Sequence, residues 1–262
     1  MNTLKFKLIS LALIALMAIS ACNSSPTAVV ETEAPTTVVS DSSNLVSTST
    51  TTEDSQDPTN TATAEQSAIL ENDLLETHES ESDYSWNEAD VVEITLADDS
   101  SSAISQAVRI EGNQVIITAG GTYRLTGTLS DGQILVESVD DDVVRLIFNG
   151  VNINCDSSAP VYIKSAEKTV IILVDGTQNL LTDTANYVYA SADEDEPKST
   201  LFSNDDLTIY GNGMLTVIGK YNDAISTDDG LVISGANIYI QAVDDGIRGK
   251  NYLVVRDSSF EV

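Results

Sequence analysis

The chain has 262 residues and carries 41 acidic against 12 basic side chains, a formal net charge of −29. A polyanion of this kind does not hold nucleic acid or anionic lipid through bulk electrostatics, because those partners carry the same sign. Its charge suits a soluble surface protein or one that concentrates cations.

Residues 1–22 read as a leader. Lys5 and Lys7 precede an apolar run from Leu8 to Ile19 that is short for a membrane span. The run closes on Ile19-Ser20-Ala21-Cys22, which resembles the bacterial lipobox and would make Cys22 the lipidated first residue of the mature chain. The alternative is an ordinary signal peptide with an incidental cysteine. Acyl chains on Cys22 would tether the protein to the membrane outside the cytoplasm. Without the leader, ten basic side chains remain against 41 acidic ones. Cys155 is then the one cysteine of the folded part, so no internal disulfide forms; it alternates with Val151 and Ile153 and reads as a buried structural thiol.

Residues 23–88 read as a disordered acidic linker. From Asn23 to Ala64, 19 of 42 residues are Ser or Thr, and up to Glu88 the segment holds 14 acidic residues with no Lys or Arg. Such a composition buries too little apolar surface to offset its ordering entropy. His78, the chain's one histidine, falls in it. On that placement a Ser-His-Asp or Cys-His arrangement, or a histidine-ligated zinc site, is excluded from the folded domain.

Residues 89–262 are expected to fold. Val91–Leu96, Asn113–Thr118, Thr122–Leu129, Gln133–Glu137, Val143–Phe148, Val151–Cys155, Pro160–Lys164 and Thr169–Val174 are short strand-like runs separated by Gly, Asn and Asp. No convincing amphipathic helix follows residue 90. Asn186 to Pro197, with Asp193-Glu-Asp-Glu-Pro197, breaks the pattern and reads as a protruding solvated loop.

The last 60 residues repeat. Leu207, Leu231 and Leu253 correspond at offsets of 24 and 22, and Asn222-Asp223 corresponds to Asp244-Asp245 at 22. Leu207/Ile209, Leu231/Ile233 and Leu253/Val255 share one face of a strand position; Leu215/Val217, Ile238/Ile240 and Phe260/Val262 share a second; Ile225 and Ile247 mark a third. Three strands per turn of about 22–24 residues predict an all-β solenoid, a parallel β-helix. The repeat stops inside a strand at Val262, so further coils are expected beyond it.

Stacking the repeats sets Asp223 under Asp245 and Asn222 under Asp244, with carboxylates about 5 Å apart, one strand spacing. Such groups repel unless one protonates or a cation bridges them. An all-oxygen set suits Ca²⁺, so Asn222, Asp223, Asp244 and Asp245 are candidate ligands, with Asp205, Asp206, Asp228 and Asp229 a second set at the next turn. The alternative is plain turn chemistry, since Asp and Asn favour turns. Lys250 stacks over Asp228, which offers that carboxylate a salt bridge instead. Tyr210 and Tyr239, facing outward from strands, and Tyr221, in a turn, are candidate sugar-stacking rings.

The motifs Asp193-Glu-Asp-Glu-Pro197, Leu201-Phe-Ser-Asn-Asp-Asp-Leu-Thr-Ile209, Tyr221-Asn-Asp-Ala-Ile225 and Asp244-Asp-Gly-Ile-Arg-Gly249, at this spacing, resemble the bacterial carbohydrate-binding domain family of secreted β-helix proteins, similar in fold to the family 9 polysaccharide lyases. The resemblance covers roughly residues 91–262. It implies a right-handed parallel β-helix, bound calcium and binding of cell-wall polysaccharides, acidic ones included. It does not by itself imply catalysis. The function expected is non-catalytic, calcium-dependent polysaccharide binding by a monomeric, lipid-anchored cell-surface protein. The alternatives are a calcium-dependent lyase using Lys250, Arg248 or Lys220 as base, and a structural or adhesive protein without a glycan ligand.

Overall fold

The computed structural model describes residues 77–140 and 142–262; the leader, Cys22 and most of the expected linker lie outside them. Nineteen strands and two 3₁₀ turns make up the described part, which holds no α-helix. The chain revisits the same place every 22 to 24 residues. Leu201 pairs with Ile225 and Ile225 with Ile247; Ile209 pairs with Ile233 and Ile233 with Val255; Leu215 pairs with Ile238 and Ile238 with Phe260, all in parallel. These are the correspondences that the repeat predicts, reached because side chains alternate with period two and a register slip would turn the core face outward.

One seven-stranded sheet runs from Ile247–Gly249 through Asp223–Thr227, Ser199–Ser203, Val161–Ser165, Gln133–Glu137 and Gln114–Ile117 to Val108–Glu111, and only its last pair is antiparallel. The other sheet, of twelve strands, holds the two remaining strand positions of each repeat, which meet at the eleven-residue strand Val144–Asn154. That strand spans both positions, pairing with Lys168–Leu173 in its first half and Gln178–Thr182 in its second. Later repeats break at this corner. Gly211 turns there with φ +110°, and a Cβ on it would lie 2.4 Å from the Leu173 carbonyl oxygen, so only glycine fits without displacing the neighbouring repeat. Leu207, Ile209, Leu215, Val217, Ile225, Leu231, Ile233, Ile238 and Ile240 are buried in one continuous apolar core with residues as far upstream as Ile94. Cys155 is buried and its thiol is pushed up by burial, which makes it inert as a nucleophile.

Strict alternation fails in several strands, among them Lys168–Leu173, Ser199–Ser203 and Asp223–Thr227, and two covered faces account for the first two. Lys168–Leu173 is buried at all six positions. Its outward residues lie under residues 77–90, a strap that the composition assigns to the linker. Trp86 packs on Ile147, Val170 and Ile172, and Tyr84 meets Tyr210 edge to face at 4.9 Å. Lys168, 4% exposed, donates from Nζ to the His78 carbonyl (2.8 Å), Glu79 (2.5 Å) and Asp83 (2.8 Å), while Arg145 donates to the Ser82 and Asp83 carbonyls. Ordered chain therefore begins upstream of residue 89. The strap buries few apolar groups, but it supplies acceptors to the two basic side chains that it covers. The second covered face carries Phe202, fully buried with Lys198 Nζ 5.2 Å from its ring centre beside loop 183–198.

Candidate functional site

The acidic turns stack as predicted. Asp223 is 1% exposed, and its Oδ1 accepts from the Asp245 N–H at 3.2 Å, one repeat above. The Asn222 carbonyl accepts from the N–H groups of Val243 and Asp244. Asp223 Oδ2 has no hydrogen-bond donor; the Arg248 Nε lies 3.2 Å away but off the hydrogen-bonding direction. Burial pushes the Asp223 carboxyl above the usual carboxylate range, against the Asp245 N–H and Arg248, with Asp245 and Asp244 adding repulsion. Asp223 thus holds a buried oxygen without a hydrogen-bond donor, while Asp244 and Asp245 are exposed and the three carboxylates do not converge within 4.8 Å of one another.

The second acidic set divides. Asp228 is matched by Lys198 at 2.9 Å and Lys250 at 3.4 Å, the latter as the stacking predicts. Burial pushes its carboxyl up, but the two lysines outweigh burial and hold it below the ordinary range. Asp205 accepts from the Ala166 N–H and is pushed up by burial. Asp206 and Asp229 face the strap, where His78 Nδ1 sits 2.6 Å from Asp206 Oδ2. His78 is therefore not remote from the folded domain, as its place in the linker implied. The Asp206 hydrogen bond and charge raise its pKa.

The three predicted tyrosines do not form one platform. Tyr210 lies under the strap against Tyr84. Tyr221 stacks on Tyr187 at 4.2 Å, and its hydroxyl lies 3.4 Å from that of Tyr189. Tyr239 stands alone on the outer face between Thr216 and Glu261. Tyr187 in turn donates to buried Asp183, which also accepts from the Lys220 N–H, so this trio anchors loop 183–198 rather than presenting rings to solvent.

That loop and the outer face of the seven-stranded sheet enclose a groove of about 730 Å³ that the sequence did not reveal. Along its floor Gln114 pairs with Gln133, and Leu135 with Tyr162 in the neighbouring strands. Gln114 Nε2 donates to Gln133 Oε1 at 2.7 Å, and Gln133 Nε2 donates to the Ala159 carbonyl at 2.7 Å, so the amides are held in a ladder. Tyr162 leans on Phe202, and burial with the nearby Glu196 pushes its hydroxyl up to about 12, keeping it a donor at neutral pH. Tyr189 lines the groove too, and exposed Asp193, Glu194 and Asp195 form its outer wall. Lys164, the basic side chain on the floor, is matched by Glu137 at 2.9 Å. Amides, phenol hydroxyls and carboxylates beside an aromatic face are the donors, acceptors and apolar surface that a sugar ring offers partners for. The acidic loop and Tyr189 were visible in the sequence, but the groove needs the loop to fold back over the sheet.

The family whose profile matches residues 111–262 is described as carbohydrate-binding domain-containing protein. A protein of that description from Acetivibrio thermocellus is 44% identical over 133 residues, covering 51% of this chain and 46% of the relative. The match thus spans about half the length of that relative. A solved structure of a polysaccharide lyase-like protein from C. thermocellum, a gadolinium derivative, aligns with a TM-score of 0.55 at 29% identity, over 65% of this chain and 94% of the other.

Proposed function

The chain belongs to the carbohydrate-binding domain family, and from that premise we propose that it is a cell-surface lipoprotein that binds polysaccharide without cleaving it and depends on calcium to do so. The observation that carries the reading is the groove between loop 183–198 and the sheet. Its length runs across successive strands, as an extended polymer requires, and its acidic wall favours hydroxyl-rich neutral stretches over uronate unless a cation intervenes. We read the fold as a right-handed parallel β-helix. Support comes from the in-register parallel pairing at 22 to 24 residues and from the right hand that parallel crossovers adopt in about 98% of cases. Cys22 would carry the acyl anchor, the acidic linker would hold the monomeric domain off the membrane, and no helix of the described residues is long and apolar enough to cross one.

Calcium belongs to this proposal at the Asn222, Asp223, Asp244 and Asp245 turn, where binding would have to draw the exposed Asp244 and Asp245 carboxylates in toward Asp223. Asp223 Oδ2, buried without a hydrogen-bond donor and with only the Arg248 charge 3.2 Å away, is what a hard cation would satisfy, with the Asp244 and Asp245 carboxylates and the Asn222 amide oxygen as further ligands. Bound there it would neutralise stacked carboxylates and stiffen the turn. A lyase is the second reading, favoured by the lyase-like neighbour. Against it, Lys250 and Arg248 are engaged with Asp228 and Asp223, where a general base needs a neutral amine, which leaves exposed Lys220 as the remaining candidate base. Affinity electrophoresis of the full chain through cellulose, xylan and polygalacturonate, with calcium or chelator, tests the proposal. Retention by at least one glycan, weakened by Tyr162→Ala and by chelation, supports it. No retention on any of the three refutes it. Ultraviolet-absorbing products from polygalacturonate would establish the lyase.

A further inference from the structure

We propose that His78, Asp206 and Asp229 form a second metal site, distinct in chemistry from the calcium turn, which takes a borderline divalent ion such as Zn²⁺ and clamps the strap to the sheet. One ligand atom from each residue lies within 4.8 Å of the other two. The carboxylates come from consecutive repeats, and the imidazole is brought from 128 residues upstream of Asp206. An imidazole nitrogen with two carboxylate oxygens matches Zn²⁺, Co²⁺ or Mn²⁺ rather than the all-oxygen preference of Ca²⁺.

Groups outside the triad orient each ligand. Asp206 is 7% exposed, and its Oδ1 is taken by the Gly230 N–H at 3.0 Å and the Tyr252 hydroxyl at 3.1 Å, which aims Oδ2 at His78. Asp229 Oδ1 accepts from Asn251 Nδ2 at 2.6 Å. The His78 backbone is fixed at both ends, its N–H on the Tyr252 hydroxyl and its carbonyl on Lys168, which keeps the imidazole within reach of Asp206. Held ligands of this kind are the usual support of a metal centre.

Charge supplies an independent reason. Glu79, Asp83, Asp206 and Asp229 crowd this end of the strap, and Lys168 is the one basic side chain paired with any of them besides His78. Glu79, Asp83 and Asp206 are nearly buried, and Glu79 Oε2 has no donor at all. Buried carboxylates in excess of their cations are costly, and a divalent ion removes that excess. The geometry needs a small adjustment. Ligand atoms around a four-coordinate ion with bonds near 2.0–2.1 Å sit roughly 3.3 Å apart, whereas His78 Nδ1 and Asp206 Oδ2 are 2.6 Å apart. The His78 side chain, 64% exposed, has room to retreat.

This site does not depend on glycan binding or on the calcium turn. The test titrates the untagged full-length chain with Co²⁺, whose visible d–d absorption reports coordination, followed by competition with Zn²⁺ and with Ca²⁺. One equivalent of Co²⁺ should bind, be displaced by Zn²⁺ and persist in excess Ca²⁺. His78→Ala and Asp229→Asn should each weaken binding at least tenfold, while Asp245→Asn leaves it unchanged. Absence of the absorption, or its persistence at wild-type affinity in both His78→Ala and Asp229→Asn, would overturn the site. Asp229 is only half-buried, so its variant stays informative should the His78 change loosen the strap.

Discussion

Lys168→Ala is the sharpest probe of the strap. Lys168 Nζ makes three contacts to residues 78–83, and Glu79 and Asp83 have side chains 12% and 4% exposed. Removing one partner from a buried ion pair costs about 3–5 kcal/mol, because it strands the opposite charge. Here two carboxylates are stranded, which would exceed that range if the strap stayed down. It has an escape, since residues 77–90 can peel away and rehydrate both carboxylates. Peeling exposes Trp86, Ile147, Val170 and Ile172, so the loss is capped by that apolar contact and the Arg145 bonds. The expected cost is about 3 kcal/mol, or about 6–12 °C in Tm at the 2–4 °C per kcal/mol of a domain this size. Trp86 is the chain's one tryptophan, so its emission reports the strap directly. It should shift to the red in Lys168→Ala, with amide exchange rising in residues 77–90 before the sheet. Wild-type melting with unchanged emission would refute the claim that buried charge matching holds the strap.

Tyr162→Ala should weaken glycan retention about tenfold, close to 1.4 kcal/mol, while Tyr239→Ala changes nothing; affinity electrophoresis separates the two. Gly211→Ala should cost about 1–3 kcal/mol by thermal melting, because the new Cβ has no room beside the Leu173 carbonyl. Saturating calcium, at about 100 times its Kd, should raise stability by about 2.7 kcal/mol, and Asp223→Asn should abolish that rise in calorimetry. The Asp98 carboxyl is held below its usual range by the Ser130 hydroxyl and N–H. Its contribution is present above the unfolded carboxylate value of about 3.9 and fades as pH falls through the lowered folded value. The Tm gap between wild type and Ser130→Ala should therefore be constant from about pH 5 to 7 and narrow in acid.

Leu207, Leu231 and Leu253, with the Asp223 and Asp245 turns, determined the register of the last three repeats from the sequence alone. Period-two alternation and a fixed offset leave one pairing that keeps every apolar side chain inward, and Lys250 over Asp228 follows from the same stacking. The unbroken run Thr169–Val174 also carried a signal, since a strand without alternation has both faces covered. What covers it was decided only by the tertiary structure. Asp83 reaches Lys168 across 85 residues and His78 reaches Asp206 across 128, and no local period encodes such contacts. Composition marked the strap as linker because it is polar. Trp86, Tyr84 and the Ser80–Asp83 capping box were its local clues. The groove likewise depends on where loop 183–198 lies, which Tyr187 on Asp183 and Tyr221 on Tyr187 settle through space. Repetition makes a backbone legible because each repeat reports on the next, whereas strap and loop each occur once and are placed by the partners they find.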